Sequence, residues 1–292
     1  MKFGFLPSTQ RTSHGLLGLS HLEHCTIDVA GVKTFYIRGG SGPPIVFIHG
    51  GSPGACSLVS WKLNLDAFAG AGFSVYAYDQ PGFGFSGIPT DHSLEFRVTH
   101  AAAFLAVIAR DRVHLIANSM GAYIAARLAL DHGGVDRLAL ISSSTLAPKG
   151  SANATARAEA HGDELRGYVP SLEAMRAMTS KTLFRQELVT DELVRERYEM
   201  SKGPLFDASK ARAAVRGFRS LEGELHRLRN PTLLLWGAND RGASVERAVL
   251  LLAALAGAEL HVFNACAHWV QWDQADRVNQ LVADFLRGPA QA

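Results

Sequence analysis

The sequence has few cysteines, no long apolar run and no long cluster of basic residues, and each shortage argues against a class of protein. Cys25, Cys56 and Cys266 are far apart and form no C-x-x-C pair. This spacing argues against a disulfide framework, supplies no zinc motif and favours a cytoplasmic location. No stretch approaches the length of a transmembrane helix, and the apolar run within residues 1–7 is too short for a signal peptide.

The charge and the glycine pattern argue against several kinds of ligand. The formal net charge is +2 and no long basic run is present, so we expect no nucleic acid and no membrane as partner. Gly82 and Gly84 lack the context of a dinucleotide fingerprint, and there is no motif for a metal or a flavin. We therefore expect a small-molecule substrate with no cofactor and no metal. A homo-oligomer is left open.

Apolar runs typical of buried strands alternate with helical patterns along most of the 292 residues. This alternation predicts an α/β fold with a mostly parallel central sheet and helices on both faces. Strands are predicted at residues 25–29, 34–38, 45–48, 73–78, 137–141, 232–236 and 259–263, and one more begins at Val113. Helices are predicted at residues 93–110, 171–183, 191–200, 244–255 and 273–286, and around Trp61, Leu65 and Phe68.

The strand pattern disappears between about residues 145 and 223, where the sequence is charged, rich in alanine and helical. It returns at residue 232. This change predicts a helical domain inserted into the sheet domain. The expected division is core at 1–144, helical cap at 145–223 and core again at 224–292.

Ser119 lies on a tight turn between the strand that begins at Val113 and a helix rich in small residues. The sequence A-N-S-M-G matches the nucleophile elbow G-x-S-x-G, with Ala117 in place of the first glycine. Such a turn lifts the serine hydroxyl clear of the sheet. By itself the pattern also fits a serine that caps an ordinary helix. The catalytic interpretation therefore depends on residues elsewhere in the chain.

Asp240 and His268 supply that support, because each follows a predicted strand. Polar groups at the carboxyl ends of parallel strands meet at one edge of the sheet. The chain order Ser119, Asp240, His268 is the order expected for such a triad. The imidazole would remove the proton of the serine, and the carboxylate would fix the tautomer of the imidazole. Asp240 could alternatively be a turn residue only, and His268 a structural histidine.

The oxyanion hole is predicted at the backbone N–H groups of Gly51 and Met120. His49, in the same loop as Gly51, is expected to hydrogen-bond within that loop and not to transfer protons. Asp79 and Ser86, in a glycine-rich turn, are expected to be structural. Cys266 is expected to be a small buried residue and not a second nucleophile.

Four stretches resemble the α/β-hydrolase superfamily and, within it, the meta-cleavage product hydrolases, which split carbon–carbon bonds in ring-fission products of aromatic compounds. Residues 49–55 are similar to the H-G-x-x-P-G-A loop of these enzymes and residues 118–121 to their N-S-M-G elbow. Residues 266–272 match their C-x-H-W-x-Q-W motif. Residues 188–198 look like the cap helix that carries their substrate-binding arginine. The resemblance covers nearly the whole chain.

The resemblance implies four further substrate-binding positions. Arg197 matches the cap arginine, which would bind the carboxylate and 2-oxo group of the substrate. Trp269 would form a wall of the pocket, and Asn118 belongs to the elbow motif. Ser60 occupies the position at which many relatives have an asparagine that faces the oxygen-rich end of the substrate.

The resemblance implies hydrolysis of a carbon–carbon bond in a vinylogous 1,5-diketone of the 2-hydroxy-6-oxo-hexa-2,4-dienoate type. The alternative is a carboxylesterase, in which Arg197 would point to solvent. A third hypothesis is a non-catalytic binding protein that keeps the fold and has lost the chemistry. The intact set of Ser119, Asp240 and His268 argues against that hypothesis.

Overall fold

The computed structural model of the protein describes residues 22–108, 112–215 and 217–288. Its strands are β1 (Glu23–Val29), β2 (Val32–Gly39), β3 (Pro44–Ile48), β4 (Ser74–Tyr78), β5 (Val113–Asn118), β6 (Val135–Ile141), β7 (Thr232–Gly237) and β8 (Ala258–Phe263). They form one sheet in the order β1-β2-β4-β3-β5-β6-β7-β8, in which only the pairs of β2 are antiparallel. The predicted fold class is confirmed, and the strand bounds differ from prediction by no more than two residues.

The helices lie on both faces of the sheet and in the segment between β6 and β7. They are α1 (Ser57–Trp61), α2 (Leu65–Gly70), α3 (Leu94–Ile108), α4 (Met120–Asp131), α5 (Ala152–Arg166), α6 (Leu172–Thr182), α7 (Asp191–Glu199), α8 (Pro204–Ala214), α9 (Val245–Ala254), α10 (Val270–Asp273) and α11 (Ala275–Arg287). Short 3₁₀ helices are present at Gln186–Leu188 and Leu225–Arg227.

Two stretches differ from the predicted helices. The stretch around Trp61 and Phe68 forms two helices, because the chain bends at Asn64, whose side chain donates a hydrogen bond to Gln271 O (3.1 Å). The C-terminal helix is preceded by a separate α10, since the backbone of Gln274 is not helical (φ −130°, ψ 37°). The predicted helix end at residue 110 and the stretch 1–7 lie outside the described residues.

The segment between β6 and β7 contains α5 to α8 and, in its described part, no strand. The sequence predicts α6 and α7 to within one residue at each end. It does not delimit α5 or α8, because both helices are largely exposed and bury one residue each, Ala154 and Ala208. The division of the chain at residues 144 and 223 stays a prediction. No helix in the described ranges combines the length and the apolar character that a bilayer crossing requires.

Alternate side chains of the central strands point to opposite sides of the sheet, as the period of a β-strand requires. In β7, Leu233 and Leu235 pack with α1, α2, α10 and α11, whereas Leu234 and Trp236 pack with α3, α4 and α9. The first of these cores also includes apolar residues of α6 and α7. The parallel strands are therefore buried on both faces, and their carboxyl ends form the edge that faces α5 to α8.

Gly121 allows α4 to approach β3 closely, which fixes the turn that precedes the helix. A Cβ atom at Gly121 would lie 2.4 Å from Ile48 O and 2.7 Å from His49 O, and neither backbone oxygen can move away easily. We expect Gly121→Ala to lower the free energy of unfolding by about 1–3 kcal/mol in urea denaturation. Gly70→Ala is the matched control, because a Cβ there meets nothing within 4 Å. It should change stability by less than about 1 kcal/mol, and an equal loss in both variants would contradict the prediction.

Candidate active site

Ser119 occupies the sharp turn between β5 and α4. Its backbone has φ 57° and ψ −123°, a left-handed conformation that is strained for any residue other than glycine. The strain is maintained because Ser119 N–H donates to Ile141 O (2.8 Å) while α4 begins at the next residue. The structure therefore has the strained turn predicted from the A-N-S-M-G sequence.

Asp240 and His268 lie in the loops after β7 and β8 and are hydrogen-bonded to each other. His268 Nδ1 is 2.7 Å from Asp240 Oδ2. The other carboxylate oxygen accepts hydrogen bonds from the N–H groups of Gly242 (2.8 Å) and Ala243 (2.9 Å). The carboxyl group is almost completely buried, and each of its oxygens has a donor. This geometry holds the imidazole with its Nδ1–H toward Asp240, which leaves Nε2 free to accept a proton.

The pair is polarised by its surroundings. Burial raises the pKa of Asp240, but the charge of His268 and the hydrogen bonds that Asp240 accepts outweigh it and hold this pKa below 3.8. Burial lowers the pKa of His268, but the charge of Asp240 and the hydrogen bond to its carboxylate together raise this pKa more. The guanidinium of Arg197 opposes the rise, and the net pKa lies above the usual value of 6.5. Asp240 is therefore ionised at neutral pH, and His268 is a stronger base than a free histidine.

A cavity of about 400 Å³ lies over these residues, between the sheet edge and α5. Ser119, His268, Gly51, Met120, Asn118 and Trp269 are among the residues that line it. Gly51 and Met120 are in direct reach of each other, since a Cβ at Gly51 would lie 2.5 Å from Met120 Cε. The structure thus brings six of the nine predicted site residues to one cavity wall and places Asp240 directly behind His268. The use of the two N–H groups as an oxyanion hole stays a prediction.

The loop and turn residues expected to be structural have local partners. Burial lowers the pKa of His49 to about 4, and its ring donates to Gly50 O (2.7 Å) and accepts from Gln80 N–H (3.0 Å). Asp79 accepts from the N–H and the hydroxyl of Ser57, each at 2.6 Å. These bonds fix the loop that carries Gly51.

A similar local bond is made by Ser86, whose hydroxyl donates to Asp79 O (2.7 Å). Cys266 is fully buried, and burial raises the pKa of its thiol far above the ordinary value. Its thiol is therefore protonated at neutral pH, as a structural cysteine requires.

Asn118 and Ser60 are both buried, but only Asn118 lines the cavity. The side-chain amide of Asn118 donates to Ile141 O (3.2 Å) and His268 O (3.4 Å), so it ties the end of β6 to the histidine loop. Ser60 lies in α1, where its carbonyl accepts from Trp272 Nε1–H (3.2 Å). The structure does not bring Ser60 to the cavity, because α1 packs this turn against α10.

Arg197 is fully buried, which contradicts the solvent-exposed arginine expected for a carboxylesterase. Its guanidinium donates to Thr179 Oγ1 (3.0 Å) and Pro53 O (3.2 Å), and it lies over the ring of Trp269 at 4.7 Å from the centroid. It does not line the 400 Å³ cavity. Ser52, which lines the cavity, separates it from that space, with Oγ 3.5 Å from Arg197 Nη2.

Two residues of α5 near the site were not found from the sequence. His161 lines the cavity with its ring centroid 5.7 Å from that of His268, and Arg157 donates to Asp240 O (2.7 Å). Both lie on a helix whose bounds the sequence does not reveal. A second cavity of about 560 Å³ lies between α5 and α6, and His161, Leu165 and Thr182 line both cavities.

Comparison with known proteins identifies the family. The model of the alpha/beta hydrolase family matches residues 45–281. The chain belongs to this family. Among its relatives, 2-hydroxymuconate semialdehyde hydrolase from Pseudomonas sp. (strain CF600) is 34% identical, with 89% of this chain and 92% of the relative aligned. A second relative, 2-hydroxy-6-oxo-6-phenylhexa-2,4-dienoate hydrolase from Comamonas testosteroni, is 31% identical, with 89% of this chain and 93% of the relative aligned.

A solved structure of a meta-cleavage product hydrolase from Pseudomonas fluorescens IP01 has the same fold, with a TM-score of 0.80 at 30% identity. The match covers 89% of this alpha/beta hydrolase and 96% of that chain. The resemblance inferred from the four motifs is therefore confirmed, and the protein is a hydrolase. In the described residues, no group of three histidine, cysteine or acidic side chains is placed to hold a metal ion.

The charge of Asp240 should be what raises the pKa of His268. In the folded protein we expect His268 to titrate above 6.5, and Asp240→Asn should lower its pKa, because the charge of Asp240 is lost. Histidine NMR titration measures both values, and the signal missing from His268→Gln assigns the resonance. Because the pKa of His268 is raised in the folded protein, its interaction with Asp240 stabilises the fold fully below about pH 6.5. This stabilisation is lost as the pH rises through the pKa of His268 in the folded protein. Equal pKa values in the parent and in Asp240→Asn would contradict the assignment.

Proposed function

We propose that the protein hydrolyses a carbon–carbon bond in a vinylogous 1,5-diketone of the 2-hydroxy-6-oxo-hexa-2,4-dienoate type, with Ser119, His268 and Asp240 as catalytic triad. The observation that carries the proposal is the 2.7 Å hydrogen bond between Asp240 and His268 beside a cavity that Ser119 also lines. The relatives' names support the substrate class, since both relatives quoted above act on dienoates or semialdehydes of this kind.

The proposed reaction begins with ketonisation of the dienol, in which a proton is transferred to the carbon that will leave. His268 Nε2 then takes the proton of Ser119, or of a water held by Ser119, as the oxygen attacks the distal ketone. The N–H groups of Gly51 and Met120 stabilise the negative oxygen that forms. The carbon–carbon bond breaks when its electron pair passes into a stabilised dienolate, which is protonated. Where Ser119 itself attacks, a water activated by His268 then hydrolyses the ester formed on Ser119. On either route water is added across the bond and a carboxylic acid is released.

Arg197 supports a substrate that carries a carboxylate. The guanidinium is completely buried, and among the described residues no carboxylate lies within ion-pair distance of it. Burial lowers its pKa to about 10, so it remains charged at neutral pH. A buried cation without an anionic partner is costly. A carboxylate bound beside Ser52 would supply that partner across the cavity wall.

A carboxylesterase is the second candidate, and one observation favours it. Because Arg197 lies behind the cavity wall, the lining of the cavity next to Ser119 does not present this charge directly to a bound molecule. A small neutral ester could then react at the same triad without any contact to Arg197. The two candidates differ in whether the charge of Arg197 matters for turnover.

Ser119 is the expected nucleophile, so its removal should abolish covalent labelling. Ser119→Ala should not react with a fluorophosphonate and should lose roughly a thousandfold or more in kcat on any substrate of the parent. Mass spectrometry of the labelled parent should locate the adduct on the peptide that contains Ser119. Near-normal turnover by Ser119→Ala would remove Ser119 from the mechanism.

The charge of Arg197 can be removed with little change in packing by Arg197→Met. For a coloured ring-fission dienoate we expect a roughly ten- to hundredfold lower kcat/KM, since a hydrogen bond to a charged group contributes about 1.5–3 kcal/mol. Hydrolysis of p-nitrophenyl acetate should stay within about threefold of the parent. Damage to the triad would lower both rates together. No turnover of the dienoate by the parent, with ester hydrolysis retained, would establish the carboxylesterase instead.

A further inference from the structure

Helix α5 contacts the turn that carries Asp240 at two points one helical turn apart. Arg157 Nη2 donates to Asp240 O at 2.7 Å, and its Nε donates to Arg241 O at 3.4 Å. Four residues later, His161 lies against Gly242, where an added Cβ would be 2.6 Å from His161 Cδ2. Residues four apart lie on the same face of a helix, so both side chains reach the turn together.

These contacts fall on the groups that hold the carboxylate. The N–H of Gly242 donates to Asp240 Oδ1, and this bond requires the peptide between Arg241 and Gly242 to keep its orientation. The hydrogen bonds from Arg157 to Arg241 O and Asp240 O fix that peptide and the preceding one from outside. His161 also packs against His268, the other hydrogen-bond partner of the carboxylate. The centroids of the two rings are 5.7 Å apart, and the ring planes are inclined at 55°.

We propose that Arg157 and His161 are positioning residues that hold the Asp240–His268 pair in its reactive geometry from the α5 side. This inference rests on the triad put forward as the proposed function. Neither residue is required to touch the substrate. Arg157 fixes the turn at residues 240–243, called the acid turn below, and the ring of His161 restricts the imidazole of His268 to one orientation.

Three titratable groups lie near His268, and each comes from a different element. They are Asp240 after β7, His161 on α5 and Arg197 on α7. Burial and the nearby charge of His268 lower the pKa of His161 below 6.5, so His161 is neutral at pH 7. The acid limb of the pH profile of kcat/KM therefore reports the pKa of His268, which Asp240 raises. If the acid turn loosens, Asp240 raises this pKa less and the limb moves to lower pH.

The test compares Arg157→Ala with Arg176→Ala. Arg176 is a matched control, because it is another exposed cap arginine that donates to a backbone carbonyl, Val189 O (3.2 Å), and pairs with Asp191, with no contact to the triad. On p-nitrophenyl acetate, Arg157→Ala should lose roughly ten- to hundredfold in kcat. KM should stay within about threefold and the acid limb should move to lower pH, and Arg157→Lys should recover most of the rate. The control should change none of these.

The role of His161 is tested with variants that remove or keep an aromatic ring at this position. His161→Ala should lose roughly tenfold in kcat, and His161→Phe, which keeps a ring against Gly242 and His268, should recover to within about threefold. Equal losses in both variants would assign the effect to the ring nitrogens and would overturn the positioning role. Unchanged kcat in His161→Ala would overturn it as well.

The failure of the inference differs from the failure of the proposed function. If the parent is not labelled by a fluorophosphonate, the triad itself is wrong. If the parent is labelled and Arg157→Ala has the same kcat and pH profile as Arg176→Ala, the triad stands and the role of α5 is refuted.

Discussion

The hydrogen bond between Asp240 and His268 depends on the way in which two neighbouring parallel strands end. The pairing of β7 with β8 continues into their loops, where Asn239 N–H donates to Cys266 O (2.9 Å). Gly237 makes this approach possible, because a Cβ there would lie 2.5 Å from the same oxygen. Asp240 and His268 are thus carried by loops whose backbone is already paired, so little backbone entropy remains to be lost when the two side chains meet.

The positions of Ser119, Asp240 and His268 could be predicted because each follows a strand, and strand patterns survive in the sequence. A parallel strand buried on both faces is a continuous apolar run, as in β3 and β7, so its end can be found within one or two residues. Once the strands are in order, their carboxyl ends define one edge of the sheet. The residues of the proposed triad are then selected by their chemistry from the few polar residues at that edge.

The surroundings of Arg197 and Ser60, and the role of α5, could not be predicted in the same way. Arg197 lies on a helix that is mostly polar, and its burial results from packing of that helix on the loop at Pro53. The position of Ser60 depends on a bend at Asn64 that a helical pattern does not reveal. The contacts of α5 are made by the exposed Arg157 and the half-buried His161, on a helix that resembles any solvated helix in the sequence.

Helices α5, α6 and α7 contact three different loops of the site. Arg157 of α5 donates to Asp240 O, Thr182 at the end of α6 accepts a hydrogen bond from Trp269 N–H (3.2 Å), and Arg197 of α7 donates to Pro53 O. The charge of Arg197 also lowers the pKa of His268. A substrate carboxylate that neutralises this charge would remove that effect. In the proposed reaction, His268 would therefore become a stronger base when the substrate binds, which would link recognition of the acid group to proton transfer from Ser119.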